Sequence, residues 1–215
     1  EYAARFGIDK EMPPYLSMSL GAGETTLLQL TAAYGQLVNG GRKVDVSLID
    51  RIQDRYGHTI LRHDLRDCQA CAAPDGWQNQ PIPALAETRE QLTDPASAYQ
   101  MVSMLEGVVT RGTGRRIADS GLVLAGKTGT TNDNTNAWFI GFSPDLVVGV
   151  YVGYDVPRPL GKSETGSTAA SRTRFSRRCA RKARSRCSRA SWATSCGRAC
   201  LLYTSPSPRD KRQSR

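Results

Sequence analysis

The 215-residue sequence predicts an α+β fold, an antiparallel sheet with helices packed on it, and three observations carry that expectation. Two segments place apolar residues at helical spacing between a start signal and a stop signal. Three short runs between residues 122 and 154 are rich in β-branched and aromatic residues, with tight turns between them. The last of these runs puts its glycines on one face and its valines on the other, which leaves a bare face for a helix to approach.

The first helix begins at Thr26-Leu27-Leu28-Gln29, which matches a capping box, and its apolar stripe runs through Leu27, Leu30, Tyr34, Leu37 and Val38. Asn39-Gly40-Gly41 supplies the stop. Residues 46–61 read as two short strands around Arg55-Tyr56-Gly57-His58, because β-branched residues flank a glycine turn. From 66 to 93 the pattern dissolves into a loop or insertion interrupted by Pro74, Pro81 and Pro83. A second helix starts at Asp94-Pro95, an N-cap acceptor followed by proline at the first helical position. Its stripe is Ala98, Val102, Leu105 and Val109, and Arg111-Gly112-Thr113-Gly114 ends it. Strands follow at 122–130, 137–142 and 146–154, the last two forming a hairpin around Ser143-Pro144-Asp145. In the final strand Gly149 and Gly153 share one face, with Val148, Val150 and Val152 on the other.

The formal charge of +9 invites a nucleic-acid or membrane partner, so its distribution decides more than its total. Residues 171–215 hold 12 Arg and 2 Lys against the single acid Asp210, a net of +13, and leave the first 170 residues at −4. The body is a mildly acidic domain and the basic excess is confined to a tail. No run approaches the ~18 to 20 consecutive apolar residues that a membrane helix needs, and no apolar signal core opens the sequence.

The sharpest chemical signal is Lys127-Thr128-Gly129-Thr130-Thr131-Asn132-Asp133-Asn134, at the end of a strand and followed by Ala137-Trp138-Phe139-Ile140-Gly141-Phe142. In a strand Thr128 and Thr130 point to the same side, so two hydroxyls converge on one carboxylate. Lys127 adds a fixed positive charge, and Gly129 lets a ligand lie close against the backbone. On an edge strand the backbone N–H groups would also pair with an extended peptide. A bare Lys-Thr-Gly triplet is weak, since it also occurs as a charged strand end before a turn.

With its context the sequence resembles the transpeptidase domain of class A penicillin-binding proteins, the bifunctional peptidoglycan synthases. The matching words are Ser19-Leu20-Gly21-Ala22-Gly23-Glu24-Thr25-Thr26, Asn39-Gly40-Gly41, Met104-Leu105-Glu106-Gly107-Val108-Val109 with Gly112-Thr113-Gly114, and Ala125-Gly126 leading into Lys127 to Asp133. Trp138-Phe139-Ile140-Gly141-Phe142, Val152-Gly153-Tyr154-Asp155 and Glu164-Thr165-Gly166 complete the series. Proteins of this superfamily combine Lys-Thr-Gly with a Ser-x-x-Lys motif and a motif of the Ser-x-Asn type. The resemblance implies a partial penicillin-binding/β-lactamase-like fold over residues 1–170.

It also implies serine acyl transfer, in which a serine attacks the D-alanyl-D-alanine end of a peptidoglycan stem peptide and an amine of a neighbouring strand resolves the acyl-enzyme. β-Lactams would be trapped at the first step. Carried over residue by residue, the catalytic candidates are Lys127, lending positive potential to the serine-lysine machinery, and Thr130, whose backbone N–H would be half of the oxyanion hole. Thr128, Gly129, Thr130 and Thr131 are the candidate substrate-binding residues. No metal, cofactor or nucleic acid is expected. The setting implied is the periplasmic face of the bacterial inner membrane, reached through an N-terminal anchor that this sequence does not contain.

Two departures qualify the match. Neither Ser-x-x-Lys nor Ser-x-Asn stands in the required place, so the chain is expected to be the C-terminal part of the domain, without transpeptidase activity on its own. From Ser171 the composition turns to alternating Arg, Ser, Cys and Ala, as a GC-rich gene reads out of frame, and 201–210 resembles translated sequencing-adapter sequence. The tail 171–215 is expected to be unstructured and artefactual. Two other readings stay open: a non-catalytic peptidoglycan-binding domain of the same fold, and a basic nucleic-acid-binding protein whose charge lies in the tail.

Cys68-Gln69-Ala70-Cys71 reads as a redox pair, half a zinc site with His58 and His63, or a local disulfide. The periplasmic setting implied by the resemblance favours a structural disulfide or a variable loop. Trp138 is expected in the core beside Phe139. Asn132, Asp133 and Asn134 either line the cleft or turn the chain. Arg115 and Arg116 read as a solvated helix end rather than a peptidoglycan contact.

Overall fold

The computed structural model describes residues 1–66, 86–120, 122–131, 133–160 and 199–201. Its elements in chain order are α1 (Tyr2–Arg5), α2 (Leu27–Val38), β1 (Arg51–Gln53), β2 (Thr59–Arg62), α3 (Pro95–Thr110), β3 (Ala125–Thr130), β4 (Asn136–Ser143), β5 (Leu146–Gly153) and β6 (Ala199–Leu201). Short 3-10 turns stand at Leu16–Leu20 and Arg115–Ser120. The chain divides into two compact units, Glu1–Val44 with Gln91–Arg215, and Asp45–Glu90.

In the larger unit both long helices begin where their caps are written. Thr26 Oγ1 accepts the Gln29 N–H at 3.2 Å and Gln29 Oε1 accepts the Thr26 N–H at 3.2 Å, closing the capping box. Gly40 and Gly41 then end α2 with φ of +70° and +79°. At Gly41 a side chain is excluded twice, since its Cβ would also stand 2.6 Å from the Thr93 carbonyl oxygen. Helix α3 is capped by the Asp94 carboxylate, which accepts the Ser97 N–H at 3.0 Å, with Pro95 at its first position. Its buried residues are Ala98, Val102, Leu105 and Val109, the stripe that the spacing predicts.

The burial of α2 is broader than a single stripe. Leu27, Leu30 and Tyr34 pack on the sheet cluster, while Leu37 packs with Phe6, Ala33 and Leu92. The deepest positions include Thr31, Ala32, Ala33 and Gly35. Small residues take these places because the helix backbone lies close to its neighbours on two sides.

The sheet has the order β3-β4-β5-β6. Strands β3, β4 and β5 are antiparallel, with Thr128 opposite Phe139 and Phe139 opposite Val150. Ala125, Ile140, Phe142 and Val147 form a core with Val38 of α2 and Val102 and Leu105 of α3. A second core gathers Leu124, Phe139 and the three valines Val148, Val150 and Val152 with Val109, Ile117 and Leu160. Helix α3 feeds both cores and packs along β3.

Ala199–Leu201 pair in parallel with Val147–Gly149 of β5. The Ala199-Cys200-Leu201-Leu202 run is the tail's least polar stretch, and its pairing extends the ladder on the outer border of β5. The rest of 171–215 lies outside the described residues.

The smaller unit contains the antiparallel hairpin of β1 and β2, with an irregularity between Ile52 and Gln53. Asp54 organises the turn: its Oδ1 accepts the N–H groups of Tyr56 and His58 at 2.8 and 2.9 Å, and its Oδ2 lies 2.9 Å from His58 Nδ1. Gly57 supplies the left-handed position with φ +87°. This unit takes in the hairpin as well as most of the expected 66–93 loop. Cys68 and Cys71 lie outside the described residues. Among the described residues no helix is long and apolar enough to cross a membrane.

Candidate functional site

Strand β3 passes from the core to the surface along its length. Ala125 and Gly126 are buried, Thr128 and Gly129 half-buried, and Lys127 and Thr130 exposed. Among the described residues, strand β3 occupies one border of the sheet. Thr131 donates its N–H to the Asn136 carbonyl at 3.2 Å. Because the groups of an antiparallel ladder alternate inward and outward, the N–H groups of Thr130 and Thr128 project from the free border. The motif therefore lies on an exposed sheet edge with outward backbone donors.

Register decides which side chains share a face. Thr128 stands opposite Phe139 and Thr130 opposite Ala137, so both hydroxyls lie on the face of the valine core. Lys127 stands opposite Ile140 on the other face, and its Nζ folds back to donate to the Thr128 carbonyl at 2.6 Å. Lysine and threonines thus sit on opposite faces of one edge strand, with the ammonium reaching the border through its long stem.

The two glycines of the strand differ in what requires them. A Cβ on Gly126 would stand 2.6 Å from the Ile140 carbonyl oxygen and 3.2 Å from Phe139 Cζ, so packing demands glycine there. A Cβ on Gly129 would meet only Trp138, its nearest atom Cβ at an ordinary 3.4 Å. Packing accounts for Gly126 and does not account for Gly129.

Thr131, predicted with the substrate-binding residues, has its hydroxyl engaged in the β3–β4 turn. Its Oγ1 accepts the N–H groups of Thr135 and Asn136, each at 3.0 Å, and lies 2.9 Å from Thr135 Oγ1. Asn134 takes a left-handed φ of +52° and its carbonyl accepts the Leu160 N–H at 2.8 Å. Asn134 thus turns the chain; Asn132 lies outside the described residues. Trp138 also corrects the expectation of a core residue. It is half-buried, meeting Tyr151 edge-on with centroids 4.8 Å apart, while Phe139 on the opposite face is fully buried. The alternation of a strand allows only one of two neighbours into a given core.

One residue beside the motif was not expected at the site. Thr113 Oγ1 lies 3.1 Å from Thr128 Oγ1, across the gap between the turn after α3 and the edge strand. Its signal in the sequence is the Gly112-Thr113-Gly114 word, which reads locally as a helix stop. Among the described residues no three His, Cys, Asp or Glu side chains gather as metal ligands.

The fold is shared with solved penicillin-binding proteins. A crystal structure of penicillin-binding protein 1A from Haemophilus influenzae superposes with a TM-score of 0.61 at 24% identity, over 81% of this chain and 29% of that one. Penicillin-binding protein 1A of Rickettsia bellii is 47% identical over 165 residues, 76% of this chain and 21% of the relative. The protein of the same description from Neisseria flavescens is 44% identical over 172 residues, 79% of this chain and 19% of the relative. The chain thus spans about a fifth of the length of these relatives. The family model described as the penicillin binding protein transpeptidase domain matches residues 13–175, most of the chain and the whole of the edge-strand site, and the chain belongs to that family.

Proposed function

We propose that this chain supplies the carboxylate-binding edge of a peptidoglycan D,D-transpeptidase, a serine acyltransferase that cross-links stem peptides ending in D-alanyl-D-alanine and is acylated by β-lactams. The observation that carries the reading is a Lys-Thr-Gly-Thr sequence on the exposed end of an edge strand, with the Thr130 N–H directed outward. A peptide laid along this border adds as a further strand and offers its terminal carboxylate to Thr128 and Thr130. The Thr130 N–H then stabilises the oxyanion, a donor worth roughly 3 to 4 kcal/mol of barrier in comparable sites. Lys127 adds positive potential, and Gly129 admits the ligand backbone. Thr131 acts at one remove, by holding the turn that follows.

The covalent step needs a serine paired with a lysine, and no lysine of this sequence has a serine three positions before it. The activity therefore belongs to the complete domain, at the periplasmic face of the inner membrane. The test is acylation by a fluorescent penicillin: this segment joined in frame to a Ser-x-x-Lys half is labelled covalently, and the 215-residue chain is not. Labelling of the 215-residue chain itself would place the nucleophile elsewhere. In the joined protein, Thr130→Ala lowers the acylation rate by about 10-fold or more, the scale of a hydrogen bond to a charged group.

A further inference from the structure

Thr128 is held from two directions. Its carbonyl accepts from Lys127 Nζ at 2.6 Å, and its hydroxyl lies 3.1 Å from that of Thr113, fifteen residues earlier. Thr113 is not loosely placed. It rides on a turn whose Gly114 N–H donates to the Val108 carbonyl at 2.9 Å and whose Arg115 N–H donates to the Gly112 carbonyl at 3.2 Å. A Cβ on Gly112 or Gly114 would stand 3.0 or 3.1 Å from the Val108 oxygen, so the turn lies hard against the last turn of α3. Helix α3 is fixed in turn by Val102 and Leu105, which share a core with Ala125 of β3. Each end of the hydroxyl pair is therefore anchored to the packing of α3 against β3.

A threonine hydroxyl has one proton to give. A side chain meant to donate to a carboxylate is most useful when that proton is kept pointing outward, which happens when a neighbouring hydroxyl donates to its oxygen. We propose that Thr113 is a positioning residue for carboxylate recognition: its hydroxyl donates to Thr128 Oγ1 and so leaves the Thr128 proton aimed at the terminal carboxylate of a ligand on the β3 edge. The ligand class is a peptide or acyl-amide with a free C-terminal carboxylate. This rests on the reading of the edge strand given above. Thr113 itself touches no reacting atom in this scheme. Its effect passes through Thr128, so the two residues are coupled rather than additive.

The test titrates the 215-residue chain with N-acetyl-D-alanyl-D-alanine and with its C-terminal amide, following the backbone N–H resonances of Thr128 and Thr130. The acid is expected to bind better than the amide. Thr113→Val is expected to weaken the acid about fivefold and leave the amide unchanged, while Thr113→Ser restores the acid. In a Thr128→Val background, Thr113→Val is expected to add nothing. Should Thr113→Val disturb the fold, Thr113→Ala is carried through the same comparison. Full acid binding by the folded Thr113 variant, or an undiminished penalty in the Thr128→Val background, overturns the positioning role and leaves the edge-strand reading standing. Absence of any preference for the acid in the unmodified chain overturns the edge-strand reading, and the role of Thr113 falls with it.

Discussion

Gly149 of β5 lies directly beneath Thr31 of α2, so close that a Cβ on the glycine would fall within the contact radius of Thr31 Oγ1, 3.0 Å from Leu27 Cδ1 and 3.1 Å from Ile140 Cδ1. Thr31 is itself buried and donates its hydroxyl to the Leu27 carbonyl at 2.7 Å, so it has no space into which to swing. Gly149→Ala is expected to destabilise the chain by roughly 1 to 3 kcal/mol, the cost of overpacking a close-packed core. Denaturant unfolding measures it; a stability equal to the parent would mean that α2 does not press on β5.

Gly129 should behave in the opposite way. Its would-be Cβ meets only ordinary contacts, so Gly129→Ala is expected to change unfolding free energy by less than about 1 kcal/mol while impairing binding of the D-alanyl-D-alanine probe. A marked loss of stability would instead assign this glycine to packing.

The aromatic pair on β4 separates core from surface. Phe139→Ala is expected to cost about 3 to 5 kcal/mol, because a fully buried ring leaves a cavity. Trp138→Ala is expected to cost clearly less, since that ring is half-buried and leans on Tyr151. Equal losses in thermal unfolding would contradict the register of β4.

Removal of the α2 cap tests the local origin of that helix. Thr26→Ala deletes the oxygen that accepts the Gln29 N–H and is expected to lower stability by about 1 kcal/mol, with Thr26→Asp close to the parent. Circular dichroism during urea unfolding distinguishes the two.

The hairpin turn carries a pH dependence. Loss of solvent raises the Asp54 carboxyl, but hydrogen bonds from the His58 backbone and side chain, and from the backbones of Tyr56 and Gly57, outweigh it and leave the carboxyl below its ordinary value. A depressed carboxyl pKa contributes stability that is present above the unfolded value of about 4 and is lost as pH falls through the folded value. Hairpin resonances of residues 51–62 are therefore expected to broaden or shift as the pH falls below about 4. Asp54→Asn should remove that dependence; an unchanged acid profile would assign it to another group, such as Asp64 beside Arg66.

Much of the fold was legible in the chain because its signals are local. A capping box at Thr26, an Asp94-Pro95 start, the four-residue stripe of α3 and the alternation of Val148, Val150 and Val152 each act within one element, and each was readable without knowing its partners. The Lys127 to Thr130 word was legible for the same reason, since strand parity alone puts Thr128 and Thr130 on one face. Tertiary structure decided what depends on residues far apart in sequence. Only the register of β3 with β4 sets Lys127 on the face opposite the threonines, and only the packing of α3 along β3 carries Thr113 to the Thr128 hydroxyl. Trp138 was misjudged, and the engagement of the Thr131 hydroxyl in the turn went unread, because burial and hydrogen-bond partners are properties of the space around a side chain. Contacts across fifteen or more residues, such as that of Thr113 with Thr128, leave no periodicity in the chain, and that is the physical limit of reading it alone.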